Sequence, residues 1–130
     1  MNSNRLLTLF LAAILICASA FSSKSAEAQI VTYNQRAVIS ASSSGDNTII
    51  AAQAGKRIYI FGIDLSTASV TTVTFKSAST AMTGAMTMNA YSKALLPTGP
   101  AYWITTAGEA FVINLGGAVQ VSGTVWYAVQ

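Results

Sequence analysis

From Val119 to Val129 the side chains divide with a period of two, over eleven residues, into an apolar face and a mostly polar one. Val119, Val121, Val125, Tyr127 and Val129 share one face, with Gln120, Ser122, Thr124 and Trp126 opposite. A period of two belongs to an extended chain, in which successive side chains point to opposite sides, and it cannot be laid on a helix of period 3.6. This stretch therefore commits the C-terminal part of the chain to a sheet with one buried face. In "KRIYIFGIDL" the same period places Ile58 and Ile60 on one side and Tyr59, Phe61, Ile63 and Leu65 on the other, as expected for a strand covered on both faces.

The punctuation between such runs fits strands of five to ten residues. Ser44-Gly45-Asp46-Asn47, Ala54-Gly55-Lys56, Pro97-Thr98-Gly99-Pro100, Ala107-Gly108-Glu109 and Gly116-Gly117 carry the residue types that turns require. Strands are predicted at about 30–40, 47–53, 57–66, 69–77, 83–89, 101–106, 110–115 and 118–129. About eight strands at this spacing predict an all-β domain, an antiparallel β-sandwich or jelly roll. The segment "STAMTGAMTMNAYSKALL" contains helix formers, but its Thr-rich flanks and the spacing of Met82, Met86 and Met88 favour a strand, with one short helical turn allowed in "NAYSKALL".

Residues 1–28 read as a signal peptide with a helical core. Met1 to Arg5 is a short basic start, Leu6 to Phe21 an apolar run, and Ala26-Glu27-Ala28 a small-x-small cleavage site, with an alternative after Ala20. An apolar run of 16 residues spans about 24 Å as a helix, short of the ~30 Å hydrocarbon core. Membrane attachment is expected only if this signal stays uncleaved. Ile16 before Cys17 argues against a lipoprotein signal. The expected mature chain, residues 29–130, is then a single domain with no Cys, and it can enter an oxidising compartment without disulfides. The expected location is secreted, periplasmic or at the cell surface.

The residue inventory excludes most chemistry. With no His and no Cys in the mature chain, the usual nucleophilic triads and zinc sites cannot be assembled. Only Asp46, Asp64 and Glu109 remain as acids. Asp46 and Glu109 fall in predicted turns, where hydrogen bonding within the turn or solvation explains them. Asp64 lies inside an apolar strand and must face solvent or find a partner such as Arg57 or Lys76. Three scattered carboxylates favour neither a calcium site nor a glycosidase pair. No catalytic residue, metal or cofactor is expected, and the chain reads as a non-enzyme.

Five basic residues give the mature chain a net charge of +2, with only Lys56 and Arg57 adjacent. That is no footprint for nucleic acid, and no phosphate-binding loop is present. Rings remain as candidates for a ligand or interface: Tyr91, the pair Tyr102 and Trp103, and Trp126 on the polar face of its strand. Packing in the core or an interface is the commoner fate of such rings. Exposure of Tyr102, Trp103 and Trp126 in one groove is what a glycan site requires.

The succession "SGDNTIIAAQAGKRIYIFGIDL", "VTFKS", "MTGAMTM" and "TTAGEAFVINLGGAVQVSGTVWY" resembles a family of small β proteins encoded in bacteriophage and prophage genomes. Gly45, Asn47, Gly55 to Ile60, Val73 to Ser77, Thr83 to Met86, Ala107 to Leu115 and Val119 to Tyr127 carry the likeness. The resemblance implies a virion or surface structural role, of the capsid-decoration or tail-associated type, with no catalytic residue to carry over. The export leader departs from that pattern, since tailed-phage virions assemble in the cytoplasm. Either the domain serves a cell as an exported, surface or extracellular subunit, or it is a phage protein delivered to the envelope or the virion. Both readings make it a self-associating structural subunit, a trimer or an extended assembly. A secreted glycan-binding module is the alternative. "QIVTYNQRAVISAS" is the stretch expected to reach a neighbouring copy.

Overall fold

The computed structural model describes residues 31–130. The expected leader, with Cys17, the cleavage residues Ala26 and Ala28 and the alternative at Ala20, lies outside the described residues. Among the described residues the chain is all-β, with ten strands: β1 (Gln35–Ala41), β2 (Gly45–Ile50), β3 (Ile58–Thr67), β4 (Thr71–Ser77), β5 (Thr80–Ala81), β6 (Met86–Met88), β7 (Lys93–Leu96), β8 (Trp103–Ile104), β9 (Phe111–Leu115) and β10 (Val121–Val129).

The pairing is that of one long hairpin rolled on itself. β1 pairs with β10, β2 with β9, β3 with β7 and β8, and β4 with β5 and β6, all antiparallel. Rolling brings β10 against β3 and β9 against β4. The result is two sheets, β1-β10-β3-β7 with β8 beside β3, and β2-β9-β4-β5 with β6 beside β4. This is the jelly-roll order.

Ten strands rather than about eight result because two edge strands are broken. β7 and β8 lie along the same side of β3, separated by Pro97-Thr98-Gly99-Pro100, where each proline removes a ladder donor. β5 and β6 share one side of β4, and between them Met82 and Thr83 both donate N–H to the Phe75 carbonyl. The helical turn allowed in "NAYSKALL" is absent. Lys93–Leu96 is a strand, because Ala94 and Leu96 face inward and β3 offers it a free ladder.

The alternation expected for β3 is corrected by a bulge. Tyr127 stands opposite Ile60 while Trp126 stands opposite Gly62, leaving Phe61 without an opposite number. The extra residue resets the phase, so Ile58 and Ile60 face the same way as Ile63 and Leu65. All four join one core with Ile39, Val121 and Val125 from their own sheet and with Val73, Phe75, Phe111, Ile113 and Leu115 from the other. Phe61, outside that cluster, meets the Tyr33 ring at 6.2 Å. The polar side of the core is closed as well. Thr105 is fully buried and accepts the Ile58 N–H at 2.9 Å, and among the described residues no buried side-chain nitrogen or oxygen lacks a partner. The turns at Gly55 and Gly108 need the glycines they carry, with φ of 69° and 80°.

The stretch "QIVTYNQRAVISAS", expected to reach another copy, is seated largely within its own chain from residue 34 onward. Asn34 N–H donates to the Tyr127 carbonyl, and Gln35–Ala41 continues the ladder along β10.

Candidate functional site

The three acids are held apart, each on its own structural partner. Asp46, at the start of β2, takes the Lys76 ammonium at 2.7 Å and the Asn114 amide, which reach it from β4 and β9. Glu109 accepts the Ser77 hydroxyl, and that same hydroxyl accepts the Thr106 N–H at 3.0 Å. Asp64 pairs with Lys93 at 3.1 Å, in place of the expected Arg57 or Lys76. The reason is register: Asp64 faces Leu95 across the ladder, so Lys93 stands one diagonal step away on the same face.

Asp46 shows what these pairs contribute. The Lys76 hydrogen bond, and then the Asn114 amide, hold its carboxyl below the ordinary 3.8. A depressed folded value means that its stabilisation is complete above the unfolded value and is lost as pH falls through the folded one. Wild type should therefore melt above Asp46→Asn at neutral pH, with the gap closing as pH falls below about 3.8. Thermal melts from neutral to strongly acid pH check this, and a gap that persists at the acid end would show that charge is not the cause.

The rings singled out as candidates are not gathered in one groove. Trp103 points inward, its ring 5.2 Å from Phe75, and packs against the core. Tyr102 is exposed beside it, at 6.0 Å, with its hydroxyl donating to the Pro97 carbonyl. Trp126 lies on the opposite face of the same sheet, between Arg36 and Gly62 in register, and borders a hollow with Tyr33 and Arg36. Tyr91 stands apart again, 85% exposed beside Gln120 and Ser122.

What the sequence did not reveal is a cleft of about 460 Å³ where the two sheets part. Its mouth lies between β6, at the edge of one sheet, and β7, at the edge of the other, and its floor is Ile63, Leu65, Phe75 and Trp103. Met86 and Met88 project into it from β6, and Ala94 and Leu96 from β7. Every one of these residues reads as ordinary core from its pattern. Only the breaks in the two edge strands leave that core accessible from the side.

Among the described residues no three His, Cys, Asp or Glu converge as metal ligands would, and no helix is long and apolar enough to cross a membrane. Compared with known protein families, with characterised proteins and with solved structures, the chain finds no match.

Proposed function

We propose that this protein is an exported, non-catalytic structural subunit that associates with copies of itself through the free side of β1 and the adjoining outer face of its sheet. The carrying observation is the row Val38, Thr124, Asp64 and Leu95, which runs in register across β1, β10, β3 and β7. Val38 is 77% exposed and Leu95 59% exposed, so two large apolar side chains flank a polar centre on an open face. β1 is an edge strand with a single charge, Arg36, and no proline. Natural edges carry charges, prolines or bulges when they must avoid pairing, and this one carries little of that protection. A second β1 can extend the ladder while the neutral Ser40 and Ser122 approach without the desolvation that charges demand.

The separate structural partners of Asp46, Asp64 and Glu109 support the non-catalytic part of this reading. The resemblance of the short stretches between Gly45 and Tyr127 to small phage β proteins is the sequence ground for assembly, and the expected leader at residues 1–28 is the ground for export. Sedimentation of the exported protein tests it. Wild type should sediment as a homo-oligomer at micromolar concentration, and Val38→Lys should shift it toward monomer with little change in melting temperature, since an exposed substitution stays within about 0.5 kcal/mol. A wild type that is monomeric throughout would overturn the reading.

A further inference from the structure

We propose that the cleft between β6 and β7 is a binding site for a neutral, apolar small molecule of the size of a medium-chain alcohol. Its volume of about 460 Å³ falls within the roughly 300–1,000 Å³ of small-molecule sites. Its floor is rigid, made of core side chains from both sheets. Its mouth is adaptable: Met86, 39% exposed, and Met88 supply unbranched, polarisable side chains that re-pack around different shapes.

Shape separates a small molecule from a partner's strand. An inserted strand needs an unobstructed groove, and this cleft is blocked at one end. There the Asn89–Ser92 linker crosses from β6 to β7 and is pinned. The Asn89 carbonyl accepts from Thr67 Oγ1 at 2.9 Å and from the Ser92 hydroxyl at 2.7 Å, while Tyr91 N–H donates to the Thr67 carbonyl at 2.8 Å. Trp103 and Phe75, one from each sheet, meet ring to ring in its floor and leave no passage through to the other side.

Charge then decides between a neutral ligand and an acid. Of the described residues lining the cleft only Lys93 is charged, and its ammonium is engaged by Asp64 on the outer face. A carboxylate entering the cleft would lose water and find no free cation among these described residues, which is unfavourable. An alcohol can keep its hydroxyl at the mouth near Asn89 and Ser92 while its chain fills the apolar floor.

Titration of the full chain with N-phenylnaphthylamine, a neutral fluorescent probe, should give a saturable rise in emission with one probe per chain. Decanol should displace it at lower concentration than decanoate. Met86→Trp, which fills the mouth from an exposed position, should weaken the probe by about tenfold or more. Ala94→Phe is the second filling variant should the first fail to fold, and Val70→Lys, at an exposed position outside the cleft lining, should leave binding unchanged. Non-saturable emission, or binding that survives both filling variants, would overturn the site. Preferential displacement by decanoate would overturn the neutral ligand. Binding that disappears as the protein associates, and returns in Val38→Lys, would assign the cleft to a second copy instead.

Discussion

Gly123→Ala should cost this domain more than about 3 kcal/mol, beyond the ~1–3 kcal/mol of ordinary overpacking. Gly123 lies in β10, the strand between β1 and β3, opposite Ile39 on one side and Leu65 on the other. A methyl group there would fall on the Asp64 carbonyl oxygen and within 2.7 Å of Leu65 Cα. Those are backbone atoms of a central strand, so no side-chain rotation can relieve the clash. Either β3 and β10 separate, breaking the ladder through the centre of one sheet, or the bulge at Phe61 must be redrawn. At about 4–8 °C per kcal/mol for a domain of this size, the loss should be plain in a thermal melt. Gly84→Ala is the matched control, since a methyl group there meets nothing within 4 Å. Equal melting of the two variants would show that the strands can give way without cost.

Gly123 also marks where sequence reading ends. Its place in a strand was legible, because Val121 and Val125 flank it at period two. The close approach of β3 was not, because it depends on which strand lies beside β10 once the hairpin has rolled. The same divide holds elsewhere. Alternation and turn residues located eight of the ten strands to within a few residues, since those signals are local, and missed the edge strands β5 and β7. The phase of β3 was misread because a bulge is one extra residue in pairing, and pairing leaves no mark on a single strand's pattern. The Asp64 partner was missed for a related reason: Lys93 belongs to an edge strand whose Ala-Leu-Leu composition suits a helix as well as a sheet. The cleft was the least legible of all. It is a gap defined by five strands, and each apolar residue lining it looks like core until the broken edges that expose it are known.

The jelly roll accounts for why the accessible features sit at edges. A rolled hairpin ends each sheet in an unpaired strand, and here one end is β1 and another is the interrupted β7 and β8. β1 offers an unbroken ladder, which suits a second copy. The interrupted edge offers a blind opening into the core, which suits a compact molecule. The β1 edge lies at the far end of the strand order β1-β10-β3-β7 from the cleft, while the outer-face row that starts at Val38 ends on Leu95 of β7, which also borders the cleft.

Phe111→Ala should be nearly as damaging as the glycine substitution and should affect the cleft as well. Phe111 is fully buried in β9, and its ring lies 5.8 Å from Phe75, which in turn meets Trp103 at 5.2 Å. Truncating a buried Phe costs about 3–5 kcal/mol through lost transfer energy and the cavity left behind. The added consequence follows from the row of rings. Phe75 rests on Phe111 on one side and forms the floor of the cleft on the other, so removing its support lets it retreat and widens a site built from rigid walls. Urea unfolding should show a lower midpoint with an unchanged slope, which separates lost packing from a changed unfolded state. N-phenylnaphthylamine should bind the folded variant more weakly, because a looser floor contacts it less closely. Ile104→Ala, at a half-exposed position on the neighbouring edge, should change neither quantity appreciably. If Phe111→Ala lowers stability and leaves probe binding intact, the floor of the cleft is held by Trp103 and the β3 side chains rather than by the aromatic row.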